Sequence, residues 1–421
     1  MIRSFYSLVM SGVQPFLRHK LRRRGIAEPG YLQHIDERFG LYAGRSDAGR
    51  IWIHAVSLGE TRAAAILLEQ LRVLRPGVQV LLTHGTATGR AEGQLLLQAG
   101  DAQAWLPWDT PQAVSRFLLH FRPAVGVLME TEVWPNLAAG CLAHGVPLVL
   151  ANARLSEKSM RQALRLAPLS RPAYAALAAV WAQTQADARR LVRVGASVSG
   201  VFGNLKFDAA PDAGQLARGR QWRRQLDRPV LMFASSREGE EQAFFHAIAQ
   251  QKAPSQNGVQ WLVVPRHPQR FDEVAALAAQ HGLSVSRRSS WEGEPLPADV
   301  WLGDSVGDMA LYYGMADAAL LGGSFESLGG QNLIEAAASG CPVVMGPHTF
   351  NFADAAQLAE EAGAALRVNS MADAVQSAVA LAADTTRQAG VAAAGLAFAA
   401  AHRGATRKTV AALRALVASS S

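Results

Sequence analysis

Three strand ends in the second half of the sequence carry groups suited to holding an anion. The first is FASSREGEE (233–241), where Ser235, Ser236 and Arg237 follow an apolar run, with Glu238, Glu240 and Glu241 behind them. Hydroxyls at a strand end before a helix suit phosphate oxygens, and an arginine offers a two-pronged grip. The second is VVPRHPQRF (263–271), in which Arg266 and His267 sit between prolines that fix the backbone. The third is LLGGSFESLGGQNLIEAAASG (320–340). There an apolar run breaks at Gly322-Gly323-Ser324, a second pair Gly329-Gly330 follows, and Gln331 and Asn332 lead into a helical pattern carrying Glu335. Unpaired backbone N–H groups and the positive end of a helix would face a ligand at such a loop. Taken alone, the loop reads equally well as glycines fitting tight turns. Its spacing is neither the GxGxxG fingerprint nor a P-loop. The three strand ends together point to nucleotide binding by the C-terminal half.

The first half offers carboxylates instead. Glu60 directly follows Gly59, at a strand end and a helix start. The helix dipole would keep a carboxylate there ionised, fit to accept a proton; as a first-turn charge it would equally serve the helix alone. Glu130 and Glu132 flank Thr131 where an apolar strand ends in METEVWPN (129–136). Carboxylates leaving a core need solvent, a partner or a ligand, so they are either acceptor-side groups or a structural pair with Arg154 of ANARLS (151–156). No HExxH, cysteine pair or DxD announces a metal, and Asp304 and Asp308 stand four apart across a glycine. No GxSxG elbow is present. The basic residues do not interleave with aromatics as on a nucleic-acid platform.

These groups need elements to position them. From residue 51 onward strand-like runs alternate with helical ones: 50–57 then 61–74, 78–85 then a helix from about 90, 123–145, 146–156 and 179–195. Such alternation makes a mostly parallel sheet covered by helices, with functional residues beyond the carboxyl ends of its strands. The Gly- and Pro-rich stretch 198–214 loses this pattern and reads as an interdomain connection. A second series then runs from 228 through VVMG (343–346) to a helical tail. With 421 residues the chain suits two domains. Cys141 and Cys341 both lie in apolar runs, against a disulfide scaffold. The net charge of +7 fits anionic partners. Some of it follows an interrupted apolar stretch, 5–17, as Arg18, Lys20, Arg22, Arg23 and Arg24. That stretch is short for a membrane span. It reads as an interfacial helix, apolar side among acyl chains and arginines on acidic headgroups, or else as a helix packed on its own domain.

The motifs, in order, resemble those of the Kdo transferases of lipopolysaccharide synthesis, which move 3-deoxy-D-manno-octulosonic acid (Kdo) from CMP-Kdo onto lipid A. YSLVMSGVQPF, HAVSLGET, METEVWPN and ANARLS resemble the family's first domain. GNLKFD, ASSREGEE, VPRHPQRF, LGDSVGDM, LLGGSFESLGG and MGPHTFNF resemble its second. The resemblance implies an α/β fold of GT-B type, two Rossmann-like domains with parallel sheets facing across a cleft. It further implies a membrane-associating segment 1–25, an acceptor domain 26–205 binding lipid A precursor, and a donor domain 206–421 binding CMP-Kdo. The implied transfer is inverting and metal-independent, needs no cofactor, nucleic acid or protein partner, and takes place on the cytoplasmic face of the inner membrane. Glu60 would be the general base, with Glu130, Glu132 and Arg154 on the acceptor side. Arg237, Arg266, Ser324 and the Gly329-Gly330 loop would surround the nucleotide, with Ser236, His267, Gly323, Gln331 and Asn332 beside them, and Glu335 would fix the ribose. One departure stands out: the family usually reads GGHNxLEPAA, whereas this chain has GGQNLIEAAA, with Gln331 for the histidine and Ala336 for the proline. Glutamine donates a hydrogen bond but carries no charge. A nucleotide-sugar 2-epimerase of the same fold and a non-catalytic lipid- or nucleotide-binding protein are the alternatives. The basic apolar N-terminus counts against the first, and the second has no need of Glu60.

Overall fold

The computed structural model describes residues 2–44, 46–250 and 258–419. Residue 1 of the N-terminal segment and residues 420–421 of the expected second domain lie outside these. Among the described residues, apolar runs of three to seven form two seven-stranded sheets, with the chain dividing at Asp208 and again at Arg403. All strand pairings are parallel, so helices must cover both faces, and the central strands bury both sides.

The first unit holds β1 (Ile51–His54), β2 (Val80–His84), β3 (Ala102–Trp105), β4 (Val125–Met129), β5 (Leu148–Ala153), β6 (Ala179–Ala182) and β7 (Val198–Val201), in the order β3-β2-β1-β4-β5-β6-β7. Alternation along β1 sets its two faces. Ile51 and Ile53 join Leu67 and Leu71 on one side, and Trp52 packs with Phe117 on the other. The chain enters this unit through α1 (Ile2–Gly12) and α2 (Gln14–Ala27). Two further helices matter below: α3 (Leu58–Leu74) follows β1, and α4 (Ala87–Gln94) follows β2.

The second unit, Ala209–His402, holds β8 (Val230–Ser236), β9 (Gln260–Pro265), β10 (Val285–Arg287), β11 (Val300–Leu302), β12 (Ala318–Leu321), β13 (Val343–Met345) and β14 (Ala365–Arg367). Their order is β10-β11-β9-β8-β12-β13-β14. In each sheet the order reverses between two central strands, β1 and β4 in one, β8 and β12 in the other. Open parallel sheets bind ligands beyond the carboxyl ends of the strands at such a reversal.

Three expectations need correction. The stretch 198–214 is not all connection, because Val198–Val201 is the edge strand β7. A further strand, β14, lies in the part read only as helices. The second domain does not run to 421: Ala405, Val410 and Leu413 of the terminal helix Ala405–Ser419 share a core with Leu67 and Leu71 of α3. Burying a Val or Leu side chain contributes about 1.5–3 kcal/mol, enough to return this helix to the first unit. Asp208 anchors the return, its carboxylate accepting the Gly404 and Thr406 N–H groups at 2.5 Å each.

Candidate active site

In the first unit, the two strands at the reversal deliver the carboxylates singled out above. Ser57 caps α3, accepting the Glu60 N–H at 3.3 Å, while its hydroxyl donates to Glu60 Oε1 at 3.1 Å. The Val56 N–H donates to Glu60 Oε2 at 2.8 Å. This is a capping box in all but one bond, and it holds the carboxylate in one orientation at the end of β1. Burial pushes Glu60 up to about 7, against the pull of the Val56 N–H; Glu130, then Glu132, add to the rise, and Ser57 opposes it. The expectation that the helix start keeps Glu60 firmly ionised is therefore corrected, since desolvation outweighs the dipole. A carboxylate near 7 is better matched to taking a proton at neutral pH than an ordinary one.

Glu130, at the end of β4, is buried and held at φ 59°. A non-glycine residue in that region is strained, and such strain persists where surrounding contacts overdetermine it. The contacts here are Arg154 Nε to Oε2 at 2.7 Å and Lys206 Nζ to Oε1 at 3.3 Å. The Glu130–Arg154 pair weighed in the sequence is thus present, and Lys206 was missed. Its only signal was its place in GNLKFD, which reads as linker. Glu132 is raised by burial and lowered by a hydrogen bond with Trp134.

In the second unit, β8 ends in a bulge at Ser235, φ 56°. Ser236 turns inward, its hydroxyl donating to Glu241 Oε1 at 2.9 Å, which also takes Arg270 NH1 at 2.7 Å. Ser324 is likewise buried, donating to Leu321 O at 2.5 Å and accepting the Gly346 N–H at 2.8 Å. The backbone donors of the first glycine pair are also engaged. Glu240 accepts from Gly323 N at 2.7 Å, Phe325 N at 3.0 Å, Glu326 N at 3.4 Å and Arg237 N at 3.0 Å. Burial raises this carboxyl and those four N–H groups lower it. Glu240 thus takes the place an external anion was expected to fill, and ties the end of β8 to the loop after β12. Glycine is required at 322, where a Cβ would meet Ser235 O at 2.1 Å.

Arg237, Arg266 and His267 are half-buried at the ends of β8 and β9, and in the turn after β12 Gly329 and Gly330 are buried with Gln331 half-buried beside them. Arg237 Nε reaches Glu238 at 3.0 Å, and burial, then Arg237 and Arg266, lower His267. Gly330 N donates to Gly323 O at 2.6 Å, and Gly329 carries φ 90° with Asn351 against it. Asn332 caps the six-residue helix Leu333–Ala338 through Ile334 N at 3.2 Å, and Glu335 is half-buried within it. Among the described residues no three His, Cys, Asp or Glu side chains converge as a metal-binding group.

At the protein's amino end, polar residues face inward and apolar ones outward. Tyr6 Oη donates to Asp109 at 3.0 Å and Ser7 to Asn136 at 2.9 Å, while Phe5 and Leu8 are 69% and 70% exposed. No described helix is long and apolar enough to cross a membrane.

Two doubly wound parallel units, each with a strand reversal at its centre, define an α/β architecture of GT-B type. Comparison with known proteins narrows this. Residues 33–209 match the family described as 3-Deoxy-D-manno-octulosonic-acid transferase (kdotransferase). The chain is 48% identical to the 3-deoxy-D-manno-octulosonic acid transferase of Bordetella pertussis, over 98% of each chain. It is 33% identical to that of Haemophilus influenzae, over 90% of each. The chain belongs to this Kdo transferase family. In fold it is also similar to a UDP-GlcNAc 2-epimerase of Neisseria meningitidis bound to UDP-GlcNAc, with TM-score 0.57 at 14% identity over 86% of this chain and 99% of that one.

Proposed function

We propose that the protein transfers Kdo from CMP-Kdo to a hydroxyl of a lipid A precursor with inversion, the first unit taking the acceptor and the second the donor. The observation that carries the catalytic assignment is the Glu60 carboxylate, fixed by Val56 and Ser57 at the β1–β4 reversal and poised near neutrality. The acceptor oxygen bonds to C2 of Kdo as its proton passes to Glu60. The C2–oxygen bond to the phosphate breaks, its electron pair leaving with CMP. The leaving phosphate needs charge stabilisation rather than protonation, so a single carboxylate suffices where a glycosidase uses two. Arg237 and Arg266 meet the phosphate or the Kdo carboxylate, and the Gly329-Gly330-Gln331 turn and Glu335 lie around the nucleotide. Ser236, Ser324 and Glu240 hold that site together from within.

The acceptor is a lipid, and α1 presents the surface to reach it. Its outward apolar face and the arginines of α2 support association with an anionic membrane surface, the cytoplasmic leaflet of the inner membrane in this reading. Mass spectrometry of lipid A precursor after incubation with the purified protein and CMP-Kdo tests the activity: added Kdo mass is expected, and unchanged acceptor with intact donor would refute it.

A further inference from the structure

His84, at the end of β2, is a buried titratable group that the transfer chemistry leaves unused; it is 1% exposed. Its Nδ1 lies 3.1 Å from Ala55 O, just beyond β1, and 3.3 Å from Thr61 Oγ1, in the first turn of α3. Its Nε2 is buried with no hydrogen-bond partner. That nitrogen abuts α4, where a Cβ at position 93 would come within 2.3 Å of it, so glycine there leaves room for the ring.

These contacts fix the ring's proton. A carbonyl can only accept, and Thr61 Oγ1 already donates to Ser57 O at 2.9 Å, so both neighbours of Nδ1 call for a donor. A proton on Nε2 would instead be a buried donor with nothing to meet it. Burial lowers His84 to about 4; the Ala55 carbonyl opposes this, and Arg90 of α4 and Arg38 add to the fall. His54 of β1, the other imidazole nearby, is lowered to about 3 by burial and then by His84. At neutral pH, therefore, His84 is an uncharged Nδ1–H donor and not a titrating group.

The Ala55 carbonyl that it grips belongs to the same planar peptide unit as the Val56 N–H. That N–H donates to Glu60 Oε2 at 2.8 Å. A continuous line of hydrogen bonds thus runs from the imidazole, through one peptide, to the carboxylate. A donor at the oxygen end of a peptide polarises it and strengthens its N–H, and a planar unit held at both ends cannot turn away. We propose that His84 is a positioning residue, holding the Ala55–Val56 peptide so that its N–H meets the Glu60 carboxylate. Its consequence for catalysis rests on the reading of Glu60 as the base. Burial, with Glu130 and Glu132, raises Glu60, and the Val56 N–H is the first group opposing that rise, ahead of Ser57. Losing His84 must then move Glu60 ionisation to higher pH.

His84→Leu removes the donor, whereas His84→Asn keeps an amide N–H at the place of Nδ1. Full-length protein with carbon-13 in its glutamate carboxyls reads Glu60 directly, the signal being identified by its loss in Glu60→Gln. His84→Leu should move the Glu60 midpoint up by about half a pH unit or more, and His84→Asn should hold it at the wild-type value. The kcat–pH profile should move with it, so that kcat of His84→Leu falls about threefold at pH 6 while KM for CMP-Kdo is unchanged. A Glu60 midpoint unmoved in His84→Leu, or moved equally in His84→Asn, overturns the proposal. A moved Glu60 midpoint with an unmoved kcat profile upholds the positioning role and refutes Glu60 as the base. A further readout needs no leucine variant: nitrogen-15 in the histidine rings of wild type, with the His84 signal identified by its absence from His84→Asn. The proton should sit on Nδ1 throughout the neutral range, and a proton on Nε2 overturns the proposal.

Discussion

Glu60 shows how a side chain's place at a strand end can be read from sequence and its state misjudged. Position after Gly59 and before an amphipathic helix marks it, but whether dipole or burial sets its charge depends on residues from three separate elements. Glu130 and Glu132, seventy positions on, come to the neighbouring strand end only in the fold. The raised value has two consequences of opposite sense. A base must be ionised to act, so kcat should climb as pH rises through about 7 and level off above it. A pH-independent kcat between 6 and 8 would exclude Glu60 as the titrating base. For stability, a folded carboxyl raised above its unfolded value binds its proton more tightly than the unfolded chain does. Stability is therefore lost as pH rises from the unfolded value near 4.5 through about 7. Glu60→Gln escapes that loss, so its unfolding midpoint should gain on wild type between pH 5 and pH 8; a constant difference would contradict the burial argument.

At the scale of elements, βα alternation was readable because parallel strands buried on both faces are continuous apolar runs between turn residues. The edge strands β7 and β14 escaped for the complementary reason: Val198–Val201 and Ala365–Arg367 are short, only partly buried, and flanked by glycine or alanine. The glycine loop after β12 was located correctly, but its first donors face Glu240. No local pattern couples a glutamate at 240 to N–H groups at 323–326, because that link crosses from β8 to β12. Glu240→Ala would strand four N–H groups around a buried site. It should lower the unfolding midpoint by several degrees and weaken CMP-Kdo by at least about tenfold, with acceptor affinity unchanged. A stable variant with normal donor affinity would show that the latch is dispensable. Gln331→His, at the half-buried position beside Gly323, should be tolerated, with CMP-Kdo affinity within about threefold of wild type.

For the whole molecule, two α/β domains follow from length and alternation, but the return of the chain to the first unit does not. Residues 405–419 are helical by composition, and only the core they share with α3 says which unit they join. The N-terminal segment was marked by apolar residues followed by arginines. The structure adds its orientation, with Tyr6 and Ser7 holding the helix from its polar side while Phe5 and Leu8 face out. Replacing Phe5 and Leu8 with Ser should release the protein from vesicles containing anionic phospholipid while CMP binding stays at wild-type strength. The arginines that remain contribute roughly 1 kcal/mol each near such a surface, so residual binding should vanish with added salt. Unaltered co-sedimentation with vesicles at every salt concentration would remove α1 from the membrane surface.

The central claim, that Glu60 is the base for Kdo transfer, is tested most directly by kcat of Glu60→Gln with CMP-Kdo and lipid A precursor at pH 8. Glutamine keeps the size and one acceptor of the capping arrangement but cannot take the proton. General-base assistance is worth about 10²–10⁴-fold, so kcat should fall by at least two orders of magnitude while CMP-Kdo binds at near wild-type affinity. A kcat within about threefold of wild type would contradict the account and turn attention to Glu132.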